Sequence, residues 1–297
     1  MSEIAKTVRR ASAMFAGGII LLATCPLLTL PVAVSAQAFC PAKDEYRGII
    51  ALGDRSFSFG DYDMALKYYE YAQKMDITNP KAYCRMAMMY KSGYGVERDF
   101  RHALELYMRA SECGDGRASY NVAVFYLKGD GVEVNYAEAR RWLGVAAERG
   151  NVDAIYQMGR MYYLGIGVEK SYVEALGWFE RAAAERYQPA LVTIGDMMVK
   201  GLGCEKSPEE GIQWYVRAAD FGCAEAMRCL AGCYAEGTGV EADPQEALRW
   251  YQKAADAGDA KAKEYLMAAH ISAEHISVEP LASPDEPRAE GEIGKAE

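Results

Sequence analysis

Two glycines separated by one apolar residue, Gly165-Ile166-Gly167, precede a helix-like stretch near the middle of the chain. Glycine turns that lead into a helix can hold phosphate, because the backbone N–H groups of a helix N-terminus point toward the anion. A phosphate site of this kind requires the glycines to lie directly at the helix start. The position of the next helix therefore decides whether this pair binds phosphate or forms a structural turn.

Cysteine and histidine are the other residue types that could bind a metal or take part in catalysis. Cys229 and Cys233 are four residues apart, which alone is a weak zinc motif, since zinc sites need C-x-x-C pairs or Cys/His clusters. His102 stands alone, and His270 and His275 are five apart and do not share a helical face. No serine is followed three residues later by lysine, the arrangement that supplies an acylating nucleophile with its base. These residues predict no catalytic site, no metal site and no cofactor.

The composition is that of an ordinary globular protein with an acidic balance. The chain has 297 residues, a formal net charge of -9, 51% hydrophobic residues and 25% charged residues. Nucleic-acid binding depends on neutralising phosphates with lysine and arginine, and the chain contains no basic run that would do so. We therefore expect no nucleic-acid partner.

The N-terminal stretch has the features of a secretory signal. Three basic residues precede a mostly apolar segment over 11–38 that ends in small residues. This pattern predicts a signal peptide over 1–38, cleaved after Ala36 or Ala38, followed by a short segment over 39–45. A retained membrane anchor is the alternative, which the prolines within the apolar segment disfavour. We expect an exported protein, periplasmic or secreted, with no membrane attachment after signal cleavage.

The rest of the chain repeats itself with a period of 36 residues, and this changes how single motifs are interpreted. An alanine recurs at one position of the repeat, at Ala82, Ala118, Ala154, Ala190, Ala226 and Ala262. The glycine pairs recur in the same phase, at Gly93/Gly95, Gly129/Gly131, Gly165/Gly167, Gly201/Gly203 and Gly237/Gly239. A glycine pair is thus part of each repeat, whereas a nucleotide site is usually single.

Each repeat contains two segments of helical periodicity, one before and one after the glycine pair. The second helix has a start signal, a residue whose side-chain oxygen can accept from free backbone N–H groups: Asp99, Asn135, Ser171, Ser207 and Asp243. In four repeats a glutamate follows three residues later, which is capping-box spacing. The first glycine therefore ends the first helix, where a left-handed conformation is needed, and several residues separate the pair from the next helix. We interpret the pairs as turns and not as phosphate sites.

The repeat closely resembles that of the Sel-one-like repeat family, relatives of the tetratricopeptide repeats. The repeat over 152–187 carries the family pattern at Ala154, Met158-Gly159, Tyr162, Gly165, Gly167, Val168, Ala175, Trp178-Phe179 and Ala182-Ala183. The resemblance implies an all-α fold, a right-handed α-solenoid of antiparallel helix pairs. We divide the chain into a tetratricopeptide-like unit over 46–79, five repeats over 80–259, a capping helix over 260–274 and a disordered acidic tail over 275–297.

Export permits disulfides, and the helix-pair arrangement brings some cysteines together. Cys84 lies near the start of a first helix and Cys113 near the end of its second helix, so these ends are adjacent in an antiparallel pair. By similar reasoning we propose two further pairs, Cys223–Cys229 and, less directly, Cys204–Cys233. The alternative is that these cysteines are reduced and pack as small hydrophobic residues.

Positions where the repeats differ from one another indicate where a partner binds. In tetratricopeptide-like arrays the first helices line a concave groove, and three positions after the repeat alanine vary along this face. The groove candidates are Tyr120, Asn121, Tyr156, Gln157, Arg160, Asp196 and Arg228. A solvated face without a partner is the alternative. The repeated tryptophans on the second helices are interpreted as packing between helices.

One repeat departs from the others at Met198, Cys204 and Gly211, where most repeats have tyrosine, valine and alanine. This indicates either a softer joint or a partner-facing segment. The resemblance implies a non-catalytic scaffold that binds a protein partner, such as a regulator or assembly adaptor of the bacterial envelope. The alternatives are an enzyme of the cell-wall or β-lactam class, as described for some cysteine-rich family members, and a secreted effector that acts on a host. The acidic tail is also a candidate occupant of the groove.

Overall fold

A computed structural model of the chain describes residues 41–276, with only the backbone described for 41–43 and 270–276. The predicted signal peptide, Cys40 and the tail beyond 276 lie outside the described residues. Within the described part the secondary structure is entirely helical. The thirteen helices there are α1 (Pro41–Ser58), α2 (Tyr62–Met75), α3 (Pro80–Ser92), α4 (Phe100–Glu112), α5 (Gly116–Lys128), α6 (Tyr136–Glu148), α7 (Val152–Leu164), α8 (Tyr172–Ala184), α9 (Gln188–Lys200), α10 (Pro208–Asp220), α11 (Ala224–Glu236), α12 (Pro244–Asp256) and α13 (Ala260–Ile276).

The chain forms two compact units, which divide within α8 after Ala182. In the N-terminal unit, successive helices from α1 to α7 pack against one another, and Phe179 of α8 lies directly beside Gly159 of α7. In the C-terminal unit, the same serial packing joins α9 to α13. The predicted all-α fold of packed helix pairs is confirmed in both units.

The predicted turns and caps occur where the repeat places them. The first glycine of each pair is a left-handed C-cap, with φ between 69° and 78° at Gly93, Gly129, Gly165, Gly201 and Gly237. The side chains of Asp99, Asn135, Ser171 and Asp243 accept hydrogen bonds from backbone N–H groups at the start of the following helix. Ser207 makes no such side-chain bond, and Pro208 begins that helix instead. The glycine pairs are therefore helix-ending turns.

Alanine at the repeat position allows the helices to approach closely. All six of these alanines have 0% exposure, and large apolar side chains such as Phe125 and Phe179 are also buried in the core. Burying one such side chain stabilises the fold by about 1.5–3 kcal/mol. The second helices also carry a repeated contact in which a cation lies over an indole ring, for example Arg181 over Trp178 at 4.3 Å and Lys253 over Trp250 at 3.8 Å.

The predicted capping helix over 260–274 corresponds to α13, which begins at Ala260 and continues to Ile276, two residues into the segment predicted as a tail. Ala262 is fully buried against Ala254 and Ala255 of α12, and Leu266 packs beside them. The rings of Tyr251 and Tyr265 stack with their centroids 3.9 Å apart. This helix therefore covers the apolar face that α12 presents at the end of the array.

The departing residue Gly211 has a packing role. A Cβ atom at this position would lie 2.7 Å from Cγ2 of Val199 and 2.9 Å from the carbonyl oxygen of Gly195. Helices α9 and α10 thus approach so closely that alanine, present in the other repeats, does not fit. Glycine at this position therefore has a packing reason, because it permits the close approach of these two helices.

Candidate binding surfaces

The groove candidates of the N-terminal unit lie together on α5 and α7, and we call these five residues, Tyr120, Asn121, Tyr156, Gln157 and Arg160, the first-helix surface. The Arg160 guanidinium donates to Oε1 of Gln157 at 3.3 Å, and both side chains are at least partly exposed. Burial raises the pKa of the Tyr120 hydroxyl; nearby Asp153 raises it further, and nearby Arg160 opposes the shift. Both charged residues lie on α7, the first helix of the repeat that follows Tyr120.

Two members of the first-helix surface also contact the rest of the unit. The amide of Asn121 donates to the Arg117 carbonyl oxygen at 3.1 Å, within the same helix. The ring of Tyr156 packs against that of Phe179, with centroids 5.3 Å apart. Phe179 is buried on α8, so the Tyr156 ring is anchored by the second helix of its own repeat.

The candidates in the C-terminal unit are occupied by intramolecular contacts. Asp196 accepts a hydrogen bond of 2.5 Å from the Tyr215 hydroxyl. Burial, and then this bond, strongly raise the pKa of Tyr215. Arg228 bonds to Asp259 at 3.2 Å and Glu225 at 3.3 Å, and its side chain is only 24% exposed. Both residues therefore hold neighbouring helices together, a role that the variable-position argument did not predict.

A related network in the N-terminal unit was also missed. The Tyr69 hydroxyl donates to Asp54 at 2.8 Å, and Arg85 from the next repeat pairs with the same carboxylate at 2.8 Å. Tyr69 and Tyr215 occupy the same place in the aromatic pair of their second helices, and Asp54 and Asp196 the same place in their first helices. That coincidence of phase was visible in the sequence and would have identified the tyrosine–aspartate bond.

A cavity of about 640 Å³ opens in the N-terminal unit beside Cys84 and Arg85 of α3. It is lined by residues of α1, by the starts of α3 and α5 and by the turn over 149–151 that precedes α7, so the unit over 46–79 and the next two repeats contribute to it. The charged side chains that line it are Asp54, Lys81, Arg85, Asp115, Arg117 and Arg149. None of these was a candidate in the sequence analysis, although Lys81 and Arg117 occupy one phase of the repeat, 36 residues apart.

Arg149 joins two repeats at the border of this cavity. Its guanidinium donates to the carbonyl oxygen and hydroxyl of Ser111, each at 2.9 Å, and to the Ser119 hydroxyl at 2.7 Å. The two serines are buried and lie 2.7 Å apart, oxygen to oxygen. The cation therefore satisfies buried polar groups that apolar neighbours would leave unpaired.

Of the six cysteines proposed as disulfide partners, Cys84, Cys113, Cys223, Cys229 and Cys233 are free thiols in the described structure. Cys84 and Cys113 line the same cavity, and Sγ of Cys113 lies 3.6 Å from the Ile77 carbonyl oxygen. Burial raises the pKa of the Cys84 thiol to about 12 and also raises that of Cys113. The remaining proposed partners are Cys204, Cys223, Cys229 and Cys233. The three pairings stay predictions.

His102, whose side chain is described, contacts neighbouring side chains of its own repeat. His102 packs its ring edge-on against Tyr90, with centroids 4.4 Å apart, and its Nδ1 lies 3.5 Å from a Glu105 carboxylate oxygen. Over residues 41–276, no grouping of three or more His, Cys, Asp or Glu side chains suits a metal ion. Over the same span, no helix combines the length and apolar character needed to cross a bilayer.

The packed helix pairs, glycine C-caps and repeated N-caps define an array of tetratricopeptide-like helical repeats. The family model for the Sel1 repeat matches six segments, at 51–74, 80–115, 116–151, 152–187, 190–222 and 224–259. The chain therefore belongs to the Sel1 repeat family. The first matched segment lies within the region that we interpreted as a tetratricopeptide-like unit, so the family model counts it as a sixth repeat.

Solved structures of the family agree with this assignment. The chain is similar to a Sel1 repeat protein from Oxalobacter formigenes, with 32% identity and a TM-score of 0.65 over 72% of this chain and 86% of the other. It is also similar to c5321, a protective antigen of uropathogenic Escherichia coli strains with an SLR fold, at 29% identity and a TM-score of 0.66 over 75% of this chain. The match spans about half of that protein, 49% of its chain. A comparison with curated protein sequences gave no significant match.

Proposed function

We propose that this protein is an exported, non-catalytic adaptor that binds a protein partner through the first-helix surface of its N-terminal unit. The proposal rests on a contrast between the groove candidates of the N-terminal unit and those of the C-terminal unit. Asp196 and Arg228 are engaged within the C-terminal unit, whereas Gln157 and Arg160 pair with each other at an exposed surface beside Tyr120. Polar and aromatic groups held on rigid helices are suited to partner recognition.

Family membership supports the scaffold role, because repeat arrays of this kind generally mediate protein–protein contacts. Export and a role in the bacterial envelope rest on the signal-like N-terminus, which lies outside the described residues. The chemistry expected of the partner is a protein surface with hydrogen-bonding and acidic groups that complement Gln157 and Arg160.

The proposal is tested by cross-linking the native protein in its own cells and identifying captured proteins by mass spectrometry. The double variant Gln157→Ala/Arg160→Ala removes one partly exposed and one exposed side chain and leaves the Phe179–Tyr156 contact in place. The matched control is Lys67→Ala/Arg101→Ala, which removes exposed side chains from the second helices α2 and α4 of the same unit. A partner captured by the wild type and the control but lost in the double variant supports binding at the first-helix surface.

Other outcomes lead to different conclusions. A partner retained by Gln157→Ala/Arg160→Ala refutes this surface as the binding site. Finding the chain in the culture medium, with a host protein as its partner, replaces the envelope adaptor with the secreted effector. Export is checked separately by cell fractionation and by sequencing the N-terminus of the recovered chain. An intact N-terminus on a cytoplasmic protein contradicts it.

A further inference from the structure

The cavity in the N-terminal unit lies next to the first-helix surface and has a charge opposite to that of the chain as a whole. We propose that it binds an acidic segment of the partner protein, with Lys81 and Arg117 as the groups that attract the partner's carboxylates. This inference rests on the proposed adaptor function and names the chemistry of the partner. It concerns residues outside the first-helix surface itself.

The available cations identify the kind of ligand. Four cationic side chains and two carboxylates line the cavity, giving the lining a net charge of +2, whereas the whole chain has a net charge of -9. Both carboxylates already accept hydrogen bonds, Asp54 from Tyr69 and Arg85, and Asp115 from the backbone N–H of Ala118. The lining therefore carries excess positive charge that no carboxylate of the cavity neutralises.

Lys81 and Arg117 are the cations best placed to meet a ligand. Both side chains are exposed, and neither forms an ion pair or side-chain hydrogen bond with any residue of the described chain. Arg85 is paired with Asp54, and Arg149 is directed toward the two buried serines. The cavity is thus lined by two cations without partners in the described part of the chain, Lys81 and Arg117 on successive first helices, and by two cations that already have partners within the protein, Arg85 and Arg149.

The size and position of the cavity suit a short peptide segment. A volume of about 640 Å³ lies within the range that binding sites for small ligands occupy, roughly 300–1,000 Å³. The Arg117 carbonyl oxygen accepts from Asn121 of the first-helix surface, so the two surfaces adjoin along α5. A partner seated on the first-helix surface would place an acidic extension within reach of the cavity.

The test uses the full-length protein and a fluorescein-labelled octaglutamate peptide, with octalysine as the opposite-charge control. Lys81→Glu/Arg117→Glu reverses the two cations. Both residues are in the first turn of a helix, where glutamate interacts favourably with the helix dipole, so the variant is expected to fold. Lys67→Glu/Arg101→Glu makes the same change in net charge on exposed second-helix positions of the same unit.

We expect wild type and control to bind octaglutamate with similar affinity and Lys81→Glu/Arg117→Glu to bind it about tenfold more weakly or worse, since surface charge pairs each contribute a modest amount. Raising the salt concentration should weaken binding. A site-specific readout comes from Cys113, which lines the cavity. In protein whose cysteines have been reduced, bound peptide should slow the alkylation of Cys113 by iodoacetamide and leave the rate at Cys223 unchanged.

An equal loss of affinity in both double variants overturns the proposal, because it indicates non-specific attraction by net charge. Unchanged alkylation of Cys113 in the presence of bound peptide also overturns it. Residues 277–297 carry six acidic and two basic side chains, so a tenfold gain in octaglutamate affinity after their removal would identify the chain's own tail as the occupant in place of a partner. If octaglutamate fails to bind while Gln157→Ala/Arg160→Ala still loses its captured partner, the adaptor function stands and only the cavity assignment falls.

Discussion

Replacing Gly211 by alanine separates what the repeat pattern predicts from what the structure predicts. Four repeats carry alanine at this position of the second helix, so the pattern alone predicts that Gly211→Ala stabilises the protein, by about 1 kcal/mol of helix propensity. In the structure, the new Cβ would lie 2.9 Å from the Gly195 carbonyl oxygen and 2.7 Å from Val199. The backbone oxygen cannot move aside without shifting α9.

The expected change in the free energy of unfolding is the sum of two opposing contributions, a steric cost and a gain in helix propensity. Forcing a methyl group into a well-packed contact costs about 1–3 kcal/mol, and the helix-propensity gain returns about 1 kcal/mol. We therefore expect Gly211→Ala to lower the free energy of unfolding by about 1 kcal/mol. Gly232→Ala is the matched control, because it also lies within a helix of the C-terminal unit and a Cβ there meets no atom within 4 Å. That variant should raise the free energy of unfolding by up to about 1 kcal/mol.

The assay is urea unfolding followed by tryptophan fluorescence, to which Trp214 contributes from the same helix as Gly211. The diagnostic quantity is the difference between the two glycine-to-alanine variants, about 2 kcal/mol, in opposite directions from the wild type. Equal stabilisation by both substitutions would refute the claim that α9 and α10 approach too closely at Gly211 to admit a Cβ atom. Val199→Ala added to Gly211→Ala should recover part of the loss, because it removes the Cγ2 contact.

Three further predictions concern Arg186, the buried thiols of Cys84 and Cys229, and the Cys84–Cys113 pair. Arg186 has a φ of 58°, in the left-handed region that glycine adopts at this position of the other repeats, so Arg186→Gly should raise the free energy of unfolding by about 0.5 kcal/mol, as measured by urea unfolding. Burial raises the pKa of the Cys84 and Cys229 thiols to about 12. The folded state therefore keeps protons that the unfolded chain loses above its ordinary thiol pKa of about 9. Under reducing conditions, this contribution to the free energy of unfolding should be fully present below about pH 9 and should be lost as the pH rises toward 12. Cys84→Ala should reduce this loss. A disulfide between Cys84 and Cys113 should raise the free energy of unfolding by about 3–4 kcal/mol, because it closes a long loop in the unfolded chain. The two linked peptides should appear in a non-reducing digest. A digest of the native protein that contains only free thiols contradicts the pairing.

The fold was predictable because the repeat provides several independent signals at fixed positions. Alanine marks the close helix contact, glycine marks the end of the first helix, and an oxygen-bearing side chain marks the start of the second. All three signals depend on local backbone geometry or on contacts within one repeat, so a single chain with five copies is enough to establish them. Ser207 shows the limit of this argument, since a proline at the next position begins the helix without a side-chain bond.

The candidate surfaces were less predictable because they depend on contacts between repeats. Variation between repeats selected Gln157 and Arg160, which pair with each other, and it also selected Asp196 and Arg228, whose charges are used inside the protein. A position can vary because its side chain contacts a neighbouring helix within the protein, as at Asp196 and Arg228, and variation alone does not separate such a position from one that binds a partner. The cavity was missed for a related reason: its lining comes from three repeats, and no single repeat contains it.

The contact of Arg149 with Ser111 and Ser119 limits how arrays of this kind can change length during evolution. Tandem repeats are expected to gain or lose whole copies through unequal recombination, and a 36-residue period would preserve every helix and turn. Removing 116–151 in phase would nevertheless delete both Ser119 and Arg149 and leave the Ser111 hydroxyl buried without either partner. The copies have the same backbone but different side-chain partners, so they have ceased to be interchangeable, and the number of repeats in this lineage should be more constant than the repetitive sequence suggests.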